Sequence, residues 1–351
     1  MDGGDALTTE LQMNIGVIGL GWWGPKLVRN LLANPHVNKV VGYDTDLSRV
    51  EAMRRDFGIE ATASLGRLLE DEAIVGVVIA TPPQTHYEVA QQALSAGKHV
   101  MTEKPPAMSV GELVALDALA QAGRLVHMVD ATYVFSPPVV RLKELIDNGD
   151  LGPLTLVQSL RYGDNLRRDG VSRLESTMLK NGVDAIGDLV YHDIAILQYL
   201  IPGPCEVVSV NVAHNLWGHL CDTAYIDLRI GTCAAHIGLS WTLPERRRDV
   251  TLFDREKVVV FDDLIEADKL KVHGIRRPFD QPISVAASRT EPLANAVGHF
   301  VQCIRTGGPP LTGGEFMLRL MTTFEEIRRR QAALAAPASD ARWEPPRPVG
   351  V

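Results

Sequence analysis

The amino-acid sequence predicts an α/β protein in two parts. An N-terminal parallel sheet wrapped by helices comes first, and a second α/β unit with an open, mainly antiparallel sheet follows. Three observations predict this. From Met13 to about Asp130, apolar runs without polar alternation recur between helix-spaced segments, the pattern of strands buried on both faces of a parallel sheet. The first run, Ile15 to Ile18, stops at Gly19-Leu20-Gly21-Trp22-Trp23-Gly24, which has the form G-x-G-x-x-G and opens a helical stripe. Beyond about Leu154 the rhythm changes to strand-like segments joined by short turns such as Gly231-Thr232, as in an antiparallel or mixed sheet.

Residues 1–12 are polar and acidic, lack a basic-then-apolar leader, and are expected to be a disordered tail. After the glycine stretch, Pro25 suits a helix start, and Leu27, Val28, Leu31 and Leu32 share one helical face. Each glycine has a purpose in such a unit. Gly19 permits the tight turn, Gly21 lets the backbone approach a pyrophosphate, and Gly24 lets helix pack on strand. The helix N-terminus then faces the phosphates with unpaired N–H groups and a partial positive charge. Val40 to Asp44 reads as the second strand. Asp44 lies 20 residues beyond Gly24, where a carboxylate would hold a ribose 2′-hydroxyl. A 2′-phosphate in that place would be repelled: at ~4 Å and an effective dielectric of ~20, one charge pair is worth roughly 4 kcal/mol. Thr45 and Asp46 supply no arginine to offset it, so NAD is expected rather than NADP. The competing reading is that Asp44 only caps the helix from Asp46 to about Phe57.

Ile74–Ala80 reads as a buried strand running into Thr81-Pro82-Pro83-Gln84-Thr85-His86. Two prolines there force an extended turn at the strand's C-terminal end, where α/β sheets bind ligands. Thr85 and Glu88 have capping-box spacing for the next helix, which Gly97 stops. His99 to Thr102 is a short strand ending in Glu103-Lys104-Pro105-Pro106, and Pro105 would fix the direction of Lys104. Ser109 and Glu112 repeat the capping-box spacing, and Leu125–Asp130 closes the first unit. Thr132 to Pro138 is expected to be a hinge, after which Ser136-Pro137-Pro138 restarts the chain as a helix through Ile146. Strands are then expected at Leu154–Tyr162, Cys205–Val212, Thr223–Ile230, Cys233–Trp241, Asp249–Phe253 and Lys257–Phe261. Helices are expected at about Asp188–Leu200, Pro292–Arg305 and Gly314–Gln331. The expected organisation is thus a tail at 1–12, a cofactor domain at 13–131, a substrate-binding and oligomerisation domain at 132–335, and a Pro-rich tail at 336–351. A sheet with helices on one face leaves the other to be covered, so a homodimer or homotetramer is expected.

The 351 residues suffice for two substantial cores, and the net charge of −8 argues against nucleic acid as a partner. No apolar run reaches membrane-spanning length. The four cysteines, Cys205, Cys221, Cys233 and Cys303, are scattered without zinc spacing. They read as small core hydrophobes in a reducing cytoplasm, and no metal site is expected.

Several blocks in order resemble the glucose-fructose oxidoreductase / inositol dehydrogenase / rhizopine-catabolism (Gfo/Idh/MocA) oxidoreductases. They are Gly19–Gly24, Ala80-Thr81-Pro82-Pro83 with Thr85-His86, and Ala96-Gly97-Lys98-His99-Val100 leading to Glu103-Lys104-Pro105. Gly187-Asp188 with His192-Asp193-Ile194 follows, then Pro292 to Glu315. The opening Gly21-Trp22-Trp23-Gly24-Pro25-Lys26-Leu27-Val28-Arg29-Asn30 also resembles the members that oxidise nucleotide-linked sugars at C3. The resemblance implies a Rossmann domain, a nicotinamide cofactor, and hydride transfer at a carbinol carbon of a sugar or cyclitol. It implies a cofactor site of Gly19, Gly21, Trp22, Trp23, Gly24, Asp44, Thr81, Pro82, Pro83, His86, Glu103 and Lys104. It also implies a polar centre of Lys104, Asp188 and His192 beside the nicotinamide.

Oxidising a secondary alcohol requires a base for the hydroxyl proton and a group that stabilises the developing alkoxide. His192 is expected to be the acid/base, and Lys104 to bind and polarise the oxygen. Asp188 lies four residues before His192, one helical turn away, and could orient the imidazole or bind a neighbouring hydroxyl. Val190 and Tyr191 stand where bulk would reshape the pocket. Arg161, Tyr162, Asn165 and Arg168 could line the substrate end, where arginine suits a phosphate or carboxylate; the alternative is a solvated loop. Arg246-Arg247-Arg248 reads as a solvated turn. A sugar or nucleotide-sugar dehydrogenase is the leading expectation. The alternatives are a glycosidase acting by transient C3 oxidation, a cyclitol dehydrogenase, and a non-catalytic NAD-binding regulator.

Overall fold

The computed structural model describes residues 12–163, 183–216, 220–276 and 281–334. Strands β1 (Met13–Ile18), β2 (Val37–Tyr43), β3 (Glu60–Thr62), β4 (Ile74–Ile79), β5 (His99–Glu103) and β6 (His127–Asp130) form one sheet in the order β3-β2-β1-β4-β5-β6. Every pairing in it is parallel. Helices α1 (Gly24–Leu32), α2 (Leu47–Phe57), α3 (Leu65–Glu70), α4 (His86–Ser95) and α5 (Val110–Gly123) make the crossovers. The strand order reverses between β1 and β4, and in such sheets the ligand crevice opens beyond the carboxyl ends at that point. Ile15, Val17, Val77 and Val78 are fully buried, which is why these strands read as unbroken apolar runs. The three-residue β3 and the six-residue α3 were not expected, because neither is long enough to show a period.

The helix starts follow local hydrogen bonding. Asp46 accepts from the Ser48 amide to cap α2. Ser109 accepts from the Glu112 amide, while Glu112 reaches back to the Met108 amide. Thr85 departs from the expected capping box. Its hydroxyl bonds the Pro82 carbonyl and the Thr81 hydroxyl, because Pro82 and Pro83 have already turned the chain into a short 3₁₀ turn ahead of α4.

The segment expected to be a hinge is packed instead. Thr132–Phe135 forms a tight turn with Val134 and Phe135 buried, and α6 (Pro137–Asp147) follows directly. The second sheet contains β7 (Leu156–Tyr162), β8 (Cys205–Ala213), β9 (Thr223–Ile230), β10 (Cys233–Ser240), β11 (Arg247–Phe253), β12 (Lys257–Asp262), β13 (Leu270–Gly274) and β14 (Ile283–Val285). Its order is β14-β13-β12-β11-β7-β10-β9-β8, antiparallel apart from the β7–β10 pair. Helix α7 (Tyr191–Leu200) is almost wholly buried and covers one face, with Ile194, Ile196, Leu197 and Leu200 in the core. No helix among the described residues is long and apolar enough to cross a membrane.

The chain then returns to the first sheet. Helices α8 (Pro292–Thr306) and α9 (Gly314–Leu334) pack on α1, α5 and the 132–135 turn. Between them Thr312 pairs with the edge strand β6: its carbonyl accepts from the Val129 amide (3.1 Å) and its hydroxyl donates to the Val129 carbonyl (2.7 Å). This covers an edge that would otherwise present open backbone groups. Arg29 of α1 and Glu291 before α8 add an exposed ion pair at 2.6 Å. Phe300, fully buried on α8, is central to this return. Phe300→Ala is expected to cost about 3–5 kcal/mol by leaving a cavity, read as a lower urea midpoint with an unchanged slope.

Candidate active site

The glycine turn forms because nothing larger fits. Gly19 has φ +97°, and a Cβ there would lie 2.6 Å from the carbonyl of Ala80. At Gly24 a Cβ would meet the Gly19 oxygen at 2.7 Å. Helix α1 therefore abuts the end of β1, and no side chain caps its first turn. Asp44, just past β2, is nearly buried under this turn. Its Oδ2 accepts from the Leu20 amide (2.8 Å) and its Oδ1 from the Asp46 amide (2.9 Å). Asp44 thus fixes the turn, and Asp46, not Asp44, is the cap of α2. Thr81, Pro82 and Pro83 border the turn from the end of β4. A close-set glycine backbone, an open helix N-terminus and a carboxylate at the second strand's end suit a dinucleotide.

Two residues expected at the cofactor are engaged elsewhere. The His86 ring is buried, with Nδ1 2.7 Å from the Pro105 carbonyl and Nε2 2.8 Å from the Thr81 carbonyl. It sits between the loop after β4 and the loop after β5; the two carbonyl acceptors favour the protonated ring, but burial is the larger effect and lowers its pKa. Glu103 is also buried, opposite Asp130 of the neighbouring strand. Burial first, and the Asp130 charge second, push the Glu103 carboxyl well above its usual range. Burial also raises Asp130, to about 6, against the opposing bonds from Thr132 and Glu103.

A cleft of about 920 Å³ lies beside the turn. Trp22, Trp23 and Lys26 stand at one side, with Lys26 Nζ 4.5 and 4.2 Å from the two ring centroids. Lys104, Tyr133, Arg161, Tyr162, Asp188, His192 and Arg248 line the rest. Lys104 follows β5 through a cis peptide to Pro105. Its ammonium donates to the Asp188 carbonyl at 2.6 Å and lies 3.5 Å from the Asp188 carboxylate. Asp188 sits in a π-helical turn, Ile186–Val190, immediately before α7. Asp184 pins that turn by accepting from the Gly187 amide while Arg328 and Gln331 of α9 bind its carboxylate. The carboxylate expected to orient the imidazole or bind a neighbouring hydroxyl lies beside Lys104. His192 packs edge-on to Tyr133, with centroids 5.0 Å apart. Burial, then the charges of Lys104, Arg161 and Arg248, hold its pKa well below the ordinary value, leaving the imidazole neutral at pH 7.

Arg161 lines the cleft, as its sequence position suggested, and is ion-paired there. It is buried, bonds Asp193 with its Nε and Nη2 (3.4 and 3.3 Å), and lies 4.6 Å from the Tyr133 ring. Ser159 supports the same carboxylate at 2.8 Å. Tyr162 reaches the cleft from the end of β7, and burial raises its phenol to about 12. Asn165 and Arg168 lie outside the described residues. Val190 and Tyr191 face the core, where Tyr191 stacks edge-on with Phe324 at 5.8 Å, and it is Leu189 that reaches the cleft. The expected solvated turn is corrected in part: Arg246 is exposed, but Arg247 and Arg248 begin β11, and Arg248 enters the cleft held by Asp263. Sequence reasoning missed Tyr133, Asp184, Asp193 and Arg248. Only Asp193, directly after His192, carried a signal.

Residues 13–131 match the model of the oxidoreductase family with an NAD-binding Rossmann fold. Residues 139–261 match the Gfo/Idh/MocA C-terminal domain. The chain belongs to the Gfo/Idh/MocA oxidoreductases, a family with an NAD-binding Rossmann domain. It is 32% identical over 206 residues to the 1-carboxy-3-chloro-3,4-dihydroxycyclohexa-1,5-diene dehydrogenase of Comamonas testosteroni, a match covering 58% of this chain and 51% of that protein. It is 26% identical over 327 residues to the UDP-N-acetylglucosamine 3-dehydrogenase of Acidithiobacillus ferrooxidans, covering 91% and 97% of the two chains. A levoglucosan dehydrogenase solved with NADH and levoglucosan superposes with a TM-score of 0.81 at 21% identity, covering 92% and 98%.

The Glu103–Asp130 pair has a stability consequence whose sign is fixed. An acid whose folded pKa is raised stabilises the fold below its unfolded pKa and loses that contribution as pH rises through the folded value. For Asp130 the window runs from about 3.8 to about 6. Asp130→Asn is expected to unfold near the wild-type temperature at pH 4 and above it, by on the order of a few degrees, at pH 7. Thermal unfolding across that range checks it.

Proposed function

We propose that this chain transfers a hydride between NAD and a secondary alcohol or ketone of a cyclic sugar, with a nucleotide sugar reacting at C3 as the substrate. The observation that carries this reading is the meeting of Lys104, Asp188 and His192 at the floor of one cleft beside the glycine turn. When bound, the nicotinamide supplies the acceptor or donor of hydride. The protein's part is proton transfer and charge. Neutral His192 takes the hydroxyl proton in the oxidative direction and returns it in the reductive one. Lys104, aimed by its bond to the Asp188 carbonyl, holds the same oxygen and offsets its developing negative charge. Asp188 keeps the ammonium in place.

The nucleotide-sugar assignment is supported by a relative that matches nearly full length, the UDP-N-acetylglucosamine 3-dehydrogenase. Seven basic and five acidic side chains line the cleft in a chain whose net charge is −8, so it favours an anionic substrate. We also propose domain limits of 13–131 and 132–335. The face of the second sheet away from α7 would be covered by another copy of the chain, giving a homodimer or homotetramer.

The test is a screen of purified protein with NAD against nucleotide sugars, free sugars and cyclitols, following the absorbance of reduced nicotinamide. His192→Gln is expected to lower kcat/KM about 10²- to 10⁴-fold, and Lys104→Met to lower it comparably. Because the His192 pKa is depressed, the acidic limb of the oxidative pH profile is expected below 6.5, the ordinary histidine value. Turnover surviving both substitutions would remove the site assignment. Release of an aglycone without accumulation of NADH would replace the dehydrogenase by a glycosidase.

A further inference from the structure

The turn that carries Asp188 is held from outside the cleft. Ile186–Val190 is a single π-helical turn ahead of α7, a rare geometry that recurs at functional sites. Asp184 stands at its start. The Asp184 carbonyl accepts from the Asp188 amide at 2.9 Å, and its Oδ1 accepts from the Gly187 amide at 2.8 Å. The carboxylate side chain is only 5% exposed, so its charge needs a partner. That partner comes from the last helix. Arg328 Nη1 lies 2.6 Å from Asp184 Oδ1, and Gln331 Nε2 lies 2.5 Å from Oδ2. The same guanidinium lies against the turn, its Nη1 4.0 Å from the position a Cβ on Gly187 would occupy. Helix α9 runs antiparallel along α7. Gln198 donates to the Thr323 hydroxyl at 2.9 Å, and Tyr191 packs edge-on to Phe324, before Arg328 reaches Asp184. Arg328 lies outside the set of described residues that line the cleft.

We propose that Arg328 is a positioning residue: it holds the π-helical turn that sets Asp188 against Lys104, so the C-terminal helix governs the geometry of the reaction centre from behind. This rests on the reading of Lys104 as the group that meets the reacting oxygen. The links are short and continuous. Arg328 bonds Asp184, Asp184 bonds the Gly187 and Asp188 amides, and the Asp188 carbonyl accepts from Lys104, each at 2.9 Å or less. Without the guanidinium, the buried Asp184 carboxylate keeps two amide donors but no cation. It then turns toward water and draws the Gly187 amide with it. A shift of about 1 Å far from the chemistry can slow turnover by about 10²-fold.

The test compares the full-length wild type with Arg328→Met, Arg328→Lys and Gln331→Ala. Hydrogen–deuterium exchange is read by mass spectrometry on a peptide spanning 184–192, with a peptide covering β1 as reference. NADH binding, followed by energy transfer from tryptophan, reports that each variant is folded. Arg328→Met is expected to speed exchange across the π-helical turn about tenfold or more while β1 is unchanged. It is expected to lower kcat about 10- to 100-fold on an alcohol found in the substrate screen, with NADH affinity held within about twofold. Arg328→Lys, which restores the cation, is expected to recover most of both losses. Gln331→Ala is expected to move both readouts the same way by a smaller factor, and it decides the question if Arg328→Met does not fold. The proposal is overturned if exchange across the turn is unchanged. It is equally overturned if exchange rises while kcat stays within about twofold of wild type, which would make Arg328 a brace for the fold alone. If wild type turns over no alcohol, the functional reading fails separately, and the exchange result by itself decides whether Arg328 holds the turn.

Discussion

The hydrogen bond from the Lys104 ammonium to the Asp188 carbonyl is the constraint around which the site is assembled. It joins the end of a strand in the first sheet to the turn that opens the central helix of the second. Both ends of this bond are braced from behind. His86 fixes the Lys104 side by holding the Thr81 and Pro105 carbonyls 2.8 and 2.7 Å from its two nitrogens. Asp184 fixes the other side, anchored by Arg328 and Gln331 from the last helix. A side chain placed this way loses little freedom when a substrate arrives, and that is how an active site keeps reacting groups in line.

The electrostatics follow from the same arrangement. The cleft gathers cations, and a buried cation is tolerable only with a partner. Lys104 has Asp188, Arg161 has Asp193, and Arg248 has Asp263. The imidazole of His192, surrounded by the three cations, stays neutral because protonation would add a fourth charge in a poorly solvated place. Behind Lys104 the opposite problem arises, since Glu103 and Asp130 are neighbouring carboxyls out of water. Burial answers it by raising the pKa of both carboxyls, that of Glu103 well above its usual range and that of Asp130 to about 6.

The fold explains why these groups come together at all. The parallel sheet delivers Gly19, Thr81 and Lys104 from the ends of β1, β4 and β5, which share one edge by construction. The buried turn after β6 adds Tyr133, and the second sheet adds Arg161, Tyr162 and Arg248 from β7 and β11. The two C-terminal helices then pack back on the first sheet, so the two halves are tied at both ends of the chain.

The sequence by itself determined the parallel sheet, the glycine turn and most strands of the second sheet, and it pointed to Lys104, Asp188 and His192, which line one cleft. Periodicity and turn chemistry are local, and a glycine forced by a carbonyl 2.6 Å away leaves its mark at its own position. Only the tertiary structure decided the partners. Asp188 lies against Lys104, His86 and Glu103 are buried behind the site, Arg161 pairs with Asp193 while lining the cleft, and Arg248 leaves its expected turn for the cleft. Arg49 lies five residues beyond Asp44, and nothing in the order of residues says that its Nη1 comes 3.3 Å from that carboxylate. Which charges pair is set by distances between residues far apart in the chain, or by the direction of a side chain on a helix. Neither has a signature in composition or spacing.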